Sequence, residues 1–210
     1  MTTGYKDYGW KSAAASHMHA RFMPPLLALA GNLPPGARVL DVGCGNGFTV
    51  GVFLEMGCDA VGLDLSAKGI AIARQAYPKC RFELLAADEH ILERLGCDPF
   101  DLVLSTEVVE HLYDPRSYAR GCFGALKPGG RFICSPPYHG YLKNLILALA
   151  GKWDAHANPL WDGGHIKLWS RSTLALLLTE TGFRKLQFRG VGRLPYVWMT
   201  MLMAGDKPLS

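Results

Sequence analysis

Val39-Leu40-Asp41-Val42-Gly43-Cys44-Gly45-Asn46-Gly47-Phe48 carries an apolar, β-branched run into three glycines at alternate positions and then into a helical pattern. A strand that breaks into glycines before a helix brings bare backbone to the carboxyl edge of a sheet, where a ligand can approach a helix amino terminus. A dinucleotide fingerprint, Gly-x-Gly-x-x-Gly, is not met: its sixth position is Phe48 counted from Gly43 and Val50 counted from Gly45. No pyrophosphate is therefore expected on this loop.

Outward from the loop, strand-like and helix-like stretches alternate. Residues 38–42, 60–65, 81–86, 100–105 and 131–135 read as strands, and 48–56, 66–76, 89–95 and 115–126 as helices. Strands that are apolar nearly throughout, separated by helices, predict a parallel sheet covered on both faces. Ser66 is placed to cap a helix, Pro115 to open one, and Lys127-Pro128-Gly129-Gly130 to turn a helix into a strand. A further helix over 170–181 ends at Gly182, and 183–191 and 197–204 supply the last two strands. The division is one domain: helical cover at 5–36, with Pro24-Pro25 as a helix start or break, a core at 37–136, an insertion at 137–169 and a closing unit at 170–204.

Asp64 lies nineteen residues after Gly45 at the end of the second strand, where a carboxylate accepts two hydrogen bonds from ribose hydroxyls. Asp88, just past the third strand, is placed to meet an adenine amino group. These residues, with Phe100-Asp101-Leu102-Val103 and the turn at 126–130, resemble the class I S-adenosylmethionine-dependent methyltransferases, most of all the ubiquinone-biosynthesis O-methyltransferases. The resemblance implies a Rossmann-like α/β fold, a doubly wound, mostly parallel seven-stranded sheet. It also implies S-adenosyl-L-methionine as cofactor, with Asp41, Gly43, Cys44, Gly45, Asn46, Gly47, Asp64, Leu65, Ser66, Asp88 and Thr106 as its binding set.

Thr106-Glu107-Val108-Val109-Glu110-His111-Leu112 follows the fourth strand. On a helix begun by Thr106, Glu107, Glu110 and His111 share a face and suit a divalent cation. Glu-x-x-Glu-His with a later His is similar to the ubiquinone-biosynthesis branch and to small-RNA 2′-O-methyltransferases. The resemblance implies Glu107, Glu110, His111 and His165 as ligands of Mg²⁺ or Mn²⁺. Without a metal, His111, His139 or His165 serves as general base. The implied reaction is O-methylation of a small acceptor, lipophilic or phenolic. RNA 2′-O-methylation and a non-catalytic S-adenosylmethionine-binding protein are the alternatives.

The insertion holds Tyr138 to Gly151, apolar all round except at Lys143 and Asn144. It reads as a lid or substrate wall, as a helix in a membrane interface over 138–153, or as a core helix. Charge is uneven: the 210 residues carry a net +4, and residues 141–210 hold 9 basic against 4 acidic side chains. That excess is modest, and no dedicated nucleic-acid-binding region is seen. Six cysteines, no two closer than twelve positions, make neither a zinc knuckle nor a redox pair. With a polar start at 1–7 and no apolar run near the roughly 20 residues of a membrane span, the expectation is a cytoplasmic, at most membrane-peripheral, protein. His17 and His19 are assigned no role, and Arg21 is a candidate for the cofactor carboxylate.

Overall fold

The computed structural model of the chain describes residues 9–16, 18–158, 160–161 and 163–209. Residues 5–8 of the expected N-terminal cover, and His17, lie outside them. The order is α1 (His19–Ala30), β1 (Arg38–Val42), α2 (Phe48–Glu55), β2 (Asp59–Asp64), α3 (Ala67–Ala76), β3 (Arg81–Leu84), α4 (Ile91–Leu95) and β4 (Phe100–Thr106). There follow a 3-10 turn (Val109–His111), α5 (Pro115–Ala125), β5 (Leu126–Ser135), α6 (Tyr141–Leu149), α7 (Trp153–His156), α8 (Arg171–Thr181), β6 (Arg184–Val191) and β7 (Thr200–Asp206).

The strands form one sheet in the order β3-β2-β1-β4-β5-β7-β6, with β7 antiparallel to both its neighbours. Alternation along each strand explains the two cores. Val39, Leu102, Leu104, Ile133 and Leu202 face α1, α2 and α3, with Phe22, Leu26, Phe53 and Ile70 packed on them. Leu40, Val42, Val103, Phe132 and Met203 face the other way, onto Ile91, Tyr118 and Leu174 of α4, α5 and α8. Burying both faces of the sheet is what makes its strands read as continuous apolar runs.

The local signals act as expected at three helix ends. Ser66 accepts from the Gly69 amide to cap α3, Pro115 opens α5, and Gly182 closes α8 in the left-handed conformation. Two expectations are corrected. Pro24 and Pro25 neither start nor break α1, which runs through both of them. Interior prolines cost a helix about 3 kcal/mol; here Phe22, Met23, Leu26 and Leu29 bury one face against the sheet and offset it. Residues 127–130 are not a turn outside the sheet but part of β5, which begins at Leu126 paired with Phe100 across a bulge. Their backbone is satisfied by the tail, Gly129 donating to the Lys207 carbonyl and Lys207 to the Gly130 carbonyl. No helix among the described residues is long and apolar enough to cross a membrane.

Candidate active site

The carboxyl ends of β1, β2 and β4 open on a cavity of about 720 Å³, lined by the glycine loop, Asp64, Leu65, residues of the 106–113 segment, and Trp161, Gly163 and His165 of the insertion. The loop is built so that no side chain fills it. Gly43 has φ +82°, and a Cβ there would stand 2.2 Å from Val108 Cγ2. Gly43 and Cys44 donate their amides to the Leu63 carbonyl, and Gly45 donates to Asp64 Oδ2 at 2.7 Å. Asp64 Oδ1 accepts from the Ser66 amide at 2.7 Å, so one carboxylate ties the loop after β1 to the loop after β2.

Asp41 sits beneath the loop, lines the cavity and is buried, with Oδ1 lacking a hydrogen-bond partner. Burial, with the charge of Asp64 added, pushes its carboxyl up to about 7. An orphaned acidic oxygen beside bare glycine backbone fits a ligand carrying an ammonium group. Leu65, Leu85 and Ala87 supply an apolar wall suited to a purine, and Thr106 lines the floor. These residues fit S-adenosylmethionine.

Other members of the expected cofactor set lie outside the cavity lining and make contacts within the chain. Asn46 donates from Nδ2 to the carbonyls of Ser12 and Ala14, pinning the N-terminal segment beside the loop. A Cβ on Gly47 would meet Ala73 and Phe82, so that glycine serves the packing of α3 and β3 on the loop. Asp88 turns to Arg94 Nη1 at 2.8 Å and the His90 amide at 2.9 Å, leaving Ala87 as the residue on the cavity wall. Arg21 is also elsewhere: it contacts Met199 and lines a separate groove with Arg193.

The segment after β4 departs from the expected geometry. There is no helix at Thr106; Glu107 takes a left-handed φ of 55°, and only Val109–His111 forms a 3-10 turn. Glu107 therefore does not share a helical face with Glu110 and His111. Its Oε1 accepts from Ser135 Oγ at 2.9 Å and Thr200 Oγ1 at 2.6 Å, binding β4 to β5 and β7. Glu110, His111 and His165 do converge, with one ligand atom from each within 4.8 Å of the others.

Within that group Glu110 is 1 % exposed, and neither carboxylate oxygen has a hydrogen-bond partner. Its Oε1 lies 3.7 Å from His111 Nε2 and 4.0 Å from His165 Nε2. Burial, with Glu107 nearby, holds the Glu110 carboxyl well above its ordinary value, and burial pushes His111 down. Burial, then the neighbouring His111, pushes His165 to about 4. Two neutral imidazoles beside a carboxyl group without a hydrogen-bond partner form a set of donor atoms that could hold a divalent cation. His111 Nδ1 lies 3.0 Å from the Gly164 carbonyl, which can only accept, so Nδ1 carries the proton and Nε2 the lone pair. His165 reaches this rim because the Glu110 carbonyl accepts from the amides of Ile166 and Lys167.

His139 stays outside the cavity lining, its Nδ1 3.0 Å from Asn144 Oδ1. The structure adds lining residues that sequence reasoning missed. Trp10 stands over Gly45, and His19 packs on Phe48 at 4.6 Å between ring centroids. Burial pushes His19 down to about 4. In the sequence His19 is assigned no role and Trp10 is not singled out, because neither belongs to a motif.

Residues 14–187 match the methyltransferase domain family. Over 180 residues the chain is 31 % identical to the ubiquinone biosynthesis O-methyltransferase of Cereibacter sphaeroides (strain ATCC 17025 / ATH 2.4.3), covering 83 % of this chain and 70 % of that protein. With the protein of the same name from Bordetella avium (strain 197N) it shares 39 % over 167 residues, 78 % of this chain and 68 % of the other. The fold is similar to that of magnesium protoporphyrin IX methyltransferase from Synechocystis PCC 6803, solved with bound S-adenosylhomocysteine: TM-score 0.66, 18 % identity, 88 % and 80 % coverage. It is also similar to an N-methyltransferase from Bradyrhizobium japonicum WM9, at TM-score 0.62 and 20 % identity, with 88 % and 93 % coverage. With the glycine loop, Asp41 and Asp64 arranged on one rim, the chain belongs to the S-adenosylmethionine-dependent methyltransferases, among the relatives of the ubiquinone-biosynthesis O-methyltransferases.

Proposed function

We propose that the protein methylates a hydroxyl group of a small acceptor, lipophilic or phenolic, with a divalent cation held by Glu110, His111 and His165. The observation that carries this reading is the buried Glu110 carboxyl group, without a hydrogen-bond partner and flanked by two imidazoles, on the same cavity as the glycine loop.

When bound, S-adenosylmethionine supplies an electrophilic methyl carbon, and a divalent cation supplies Lewis acidity that lowers the pKa of a ligated hydroxyl. The chain's own part is alignment. Gly43 and Gly45 admit the cofactor to the backbone, Asp64 accepts from its ribose hydroxyls, and Asp41 faces its ammonium. Glu110, His111 and His165 orient the acceptor oxygen, while Leu112, Tyr113 and Trp161 wall off water around it. A phenolic ring suits that wall, where Trp161 lies 5.2 Å from the His165 ring. The test is methyl transfer from labelled S-adenosylmethionine to a panel of phenols and catechols with Mn²⁺. Transfer that stops in EDTA, with S-adenosylhomocysteine affinity changed less than about twofold, is the expected result. Full turnover in EDTA would move the proton transfer to His111 or His165 Nε2. Cofactor binding with no transfer to any hydroxyl would favour a non-catalytic binding protein.

The acceptor's lipophilic character rests on α6, which is amphipathic in the inverted sense. Lys143 and Leu147 face inward, while Leu142, Leu145, Ile146 and Leu149 are exposed, as are Trp153 and Leu160 beyond the helix. An apolar outer face beside Lys152, in the part of the chain with the excess of basic residues, suits the surface of an anionic bilayer. Co-sedimentation with vesicles containing phosphatidylglycerol should retain the protein, and retention should fall as salt screens the lysines. Leu145→Ser/Leu149→Ser should reduce it at least about fivefold. Equal recovery with and without vesicles would reject membrane contact.

A further inference from the structure

His19, the first residue of α1, is 8 % exposed and lines the cavity, its ring 5.2 Å from that of Phe22 and 4.6 Å from that of Phe48. Its tautomer follows from its neighbours. The Ser16 amide, which can only donate, lies 2.8 Å from Nδ1, so Nδ1 carries the lone pair and Nε2 the proton. Burial keeps the ring neutral. Among the described residues the hydrogen bonds of this ring are made at Nδ1, to the amide and hydroxyl of Ser16, and Nε2 has no acceptor. A ring so deeply buried, with a donor left over on a cavity wall, is set for a ligand acceptor. The start of α1 adds to this. Met18 and Phe22 line the same cavity, and the first turn holds no acidic side chain, so the partial positive charge of the helix amino end is not offset there.

We propose that His19 receives the carboxylate of the bound cofactor through its Nε2–H, the part that the sequence suggested for Arg21. The two residues cannot share it. A helix turns by about 100° per residue, so side chains two positions apart project on roughly opposite sides. The side that buries His19 with Phe22 faces the cavity, and Arg21 is exposed against Met199. In an amino acid the ammonium and the carboxylate share one carbon. With Asp41 as the partner of the ammonium, the reading proposed above on which this assignment rests, the carboxylate must be met by a donor on the same part of the wall. Asp41, Gly43, Gly45 and His19 line one cavity. A neutral donor also leaves Asp41 to the ammonium, with no side-chain cation competing for it. The glycine loop itself sets the ring. Asn46 Nδ2 donates to the carbonyls of Ser12 and Ala14, and the strap so pinned ends at Ser16, which holds Nδ1. Asn46 is thereby a positioning residue that acts on the carboxylate through Ser16 and His19.

The test is calorimetry on the full chain with two ligands. One is S-adenosylhomocysteine; the other is its decarboxylated analogue, which keeps the ribose, the thioether and the ammonium. His19→Ala should weaken S-adenosylhomocysteine about twentyfold, the scale of a hydrogen bond to a charged group, and leave the analogue within about twofold. His19→Gln, which keeps an N–H donor, should recover most of the loss, and Arg21→Met should stay within about twofold of wild type for both ligands. A second measurement needs no variant to fold. Nitrogen-15 spectra of histidine-labelled wild type at pH 7 should show His19 protonated at Nε2 and bare at Nδ1. That Nε2 signal should shift with S-adenosylhomocysteine and much less with the analogue. Equal losses for both ligands in His19→Ala, a proton on Nδ1, or a twentyfold loss in Arg21→Met would each overturn the assignment. Wild type that binds neither ligand would overturn the cofactor site and this assignment with it. Wild type that binds both equally well, with Asp41→Asn weakening both, would leave the ammonium site standing and overturn the carboxylate site alone.

Discussion

Asp64→Ala should weaken S-adenosylhomocysteine binding about a hundredfold, measured by calorimetry on protein shown to be folded by its near-ultraviolet circular dichroism. Two losses combine. A hydrogen bond to a charged acceptor contributes about 1.5–3 kcal/mol, and the ribose hydroxyls lose such an acceptor. The alanine also frees the Gly45 and Ser66 amides, now both held at 2.7 Å by the same carboxylate. The glycine loop then loses its tie to β2 and must be ordered by the ligand, at the expense of affinity. Asp64→Asn should fall between wild type and alanine, because the amide keeps one oxygen acceptor for the loop or the ribose. An affinity within threefold of wild type for Asp64→Ala would remove Asp64 from the cofactor site.

Glu110→Gln should lower methyl transfer about 10²- to 10³-fold with Mn²⁺ present, the scale of losing a charged group that orients and activates the reacting oxygen. The same substitution should raise the urea midpoint of the metal-free protein. In the wild type both Glu110 oxygens are buried without a partner, and an amide places there no group that must be desolvated as an ion. Gain of metal-free stability together with loss of transfer is the signature of a side chain kept for chemistry rather than for folding. Added Mn²⁺ should stabilise wild type and fail to stabilise Glu110→Gln, since a ligand that binds only the folded state raises its stability by mass action. His165→Ala should lose transfer to a similar degree. A Glu110→Gln protein that is less stable without metal and fully active would return Glu110 to a structural role.

The neighbouring carboxylate makes the contrast. Glu107→Gln should leave Oε1-type acceptance from Ser135 and Thr200 in place and should leave Mn²⁺ affinity unchanged. Two glutamates three positions apart thus separate by function. Only their surroundings distinguish them.

What the chain alone determines is its frame. The apolar runs at β1, β2 and β4, the glycines between Asp41 and Phe48, and the spacing to Asp64 specify a parallel sheet with a nucleoside-type ligand on its carboxyl rim, because period and turn chemistry are local properties. Ser66, Pro115 and Gly182 act at the helix ends their residue types favour, for the same reason. The site at the acceptor end was decided by tertiary structure. Whether Glu107 stands with Glu110 and His111 depended on the backbone after β4, where the left-handed turn at Glu107 directs its carboxylate to Ser135 and Thr200, 28 and 93 residues away. Whether His165 joins them depended on two amides donated to the Glu110 carbonyl across more than fifty positions. The inward face of α6 could not be read from its composition either. A helix that buries its lysine and exposes Leu142, Leu145 and Leu149 inverts the usual pattern, and only the fold shows that Lys143 has the Met199 carbonyl to meet while Leu147 alone of the leucines turns inward.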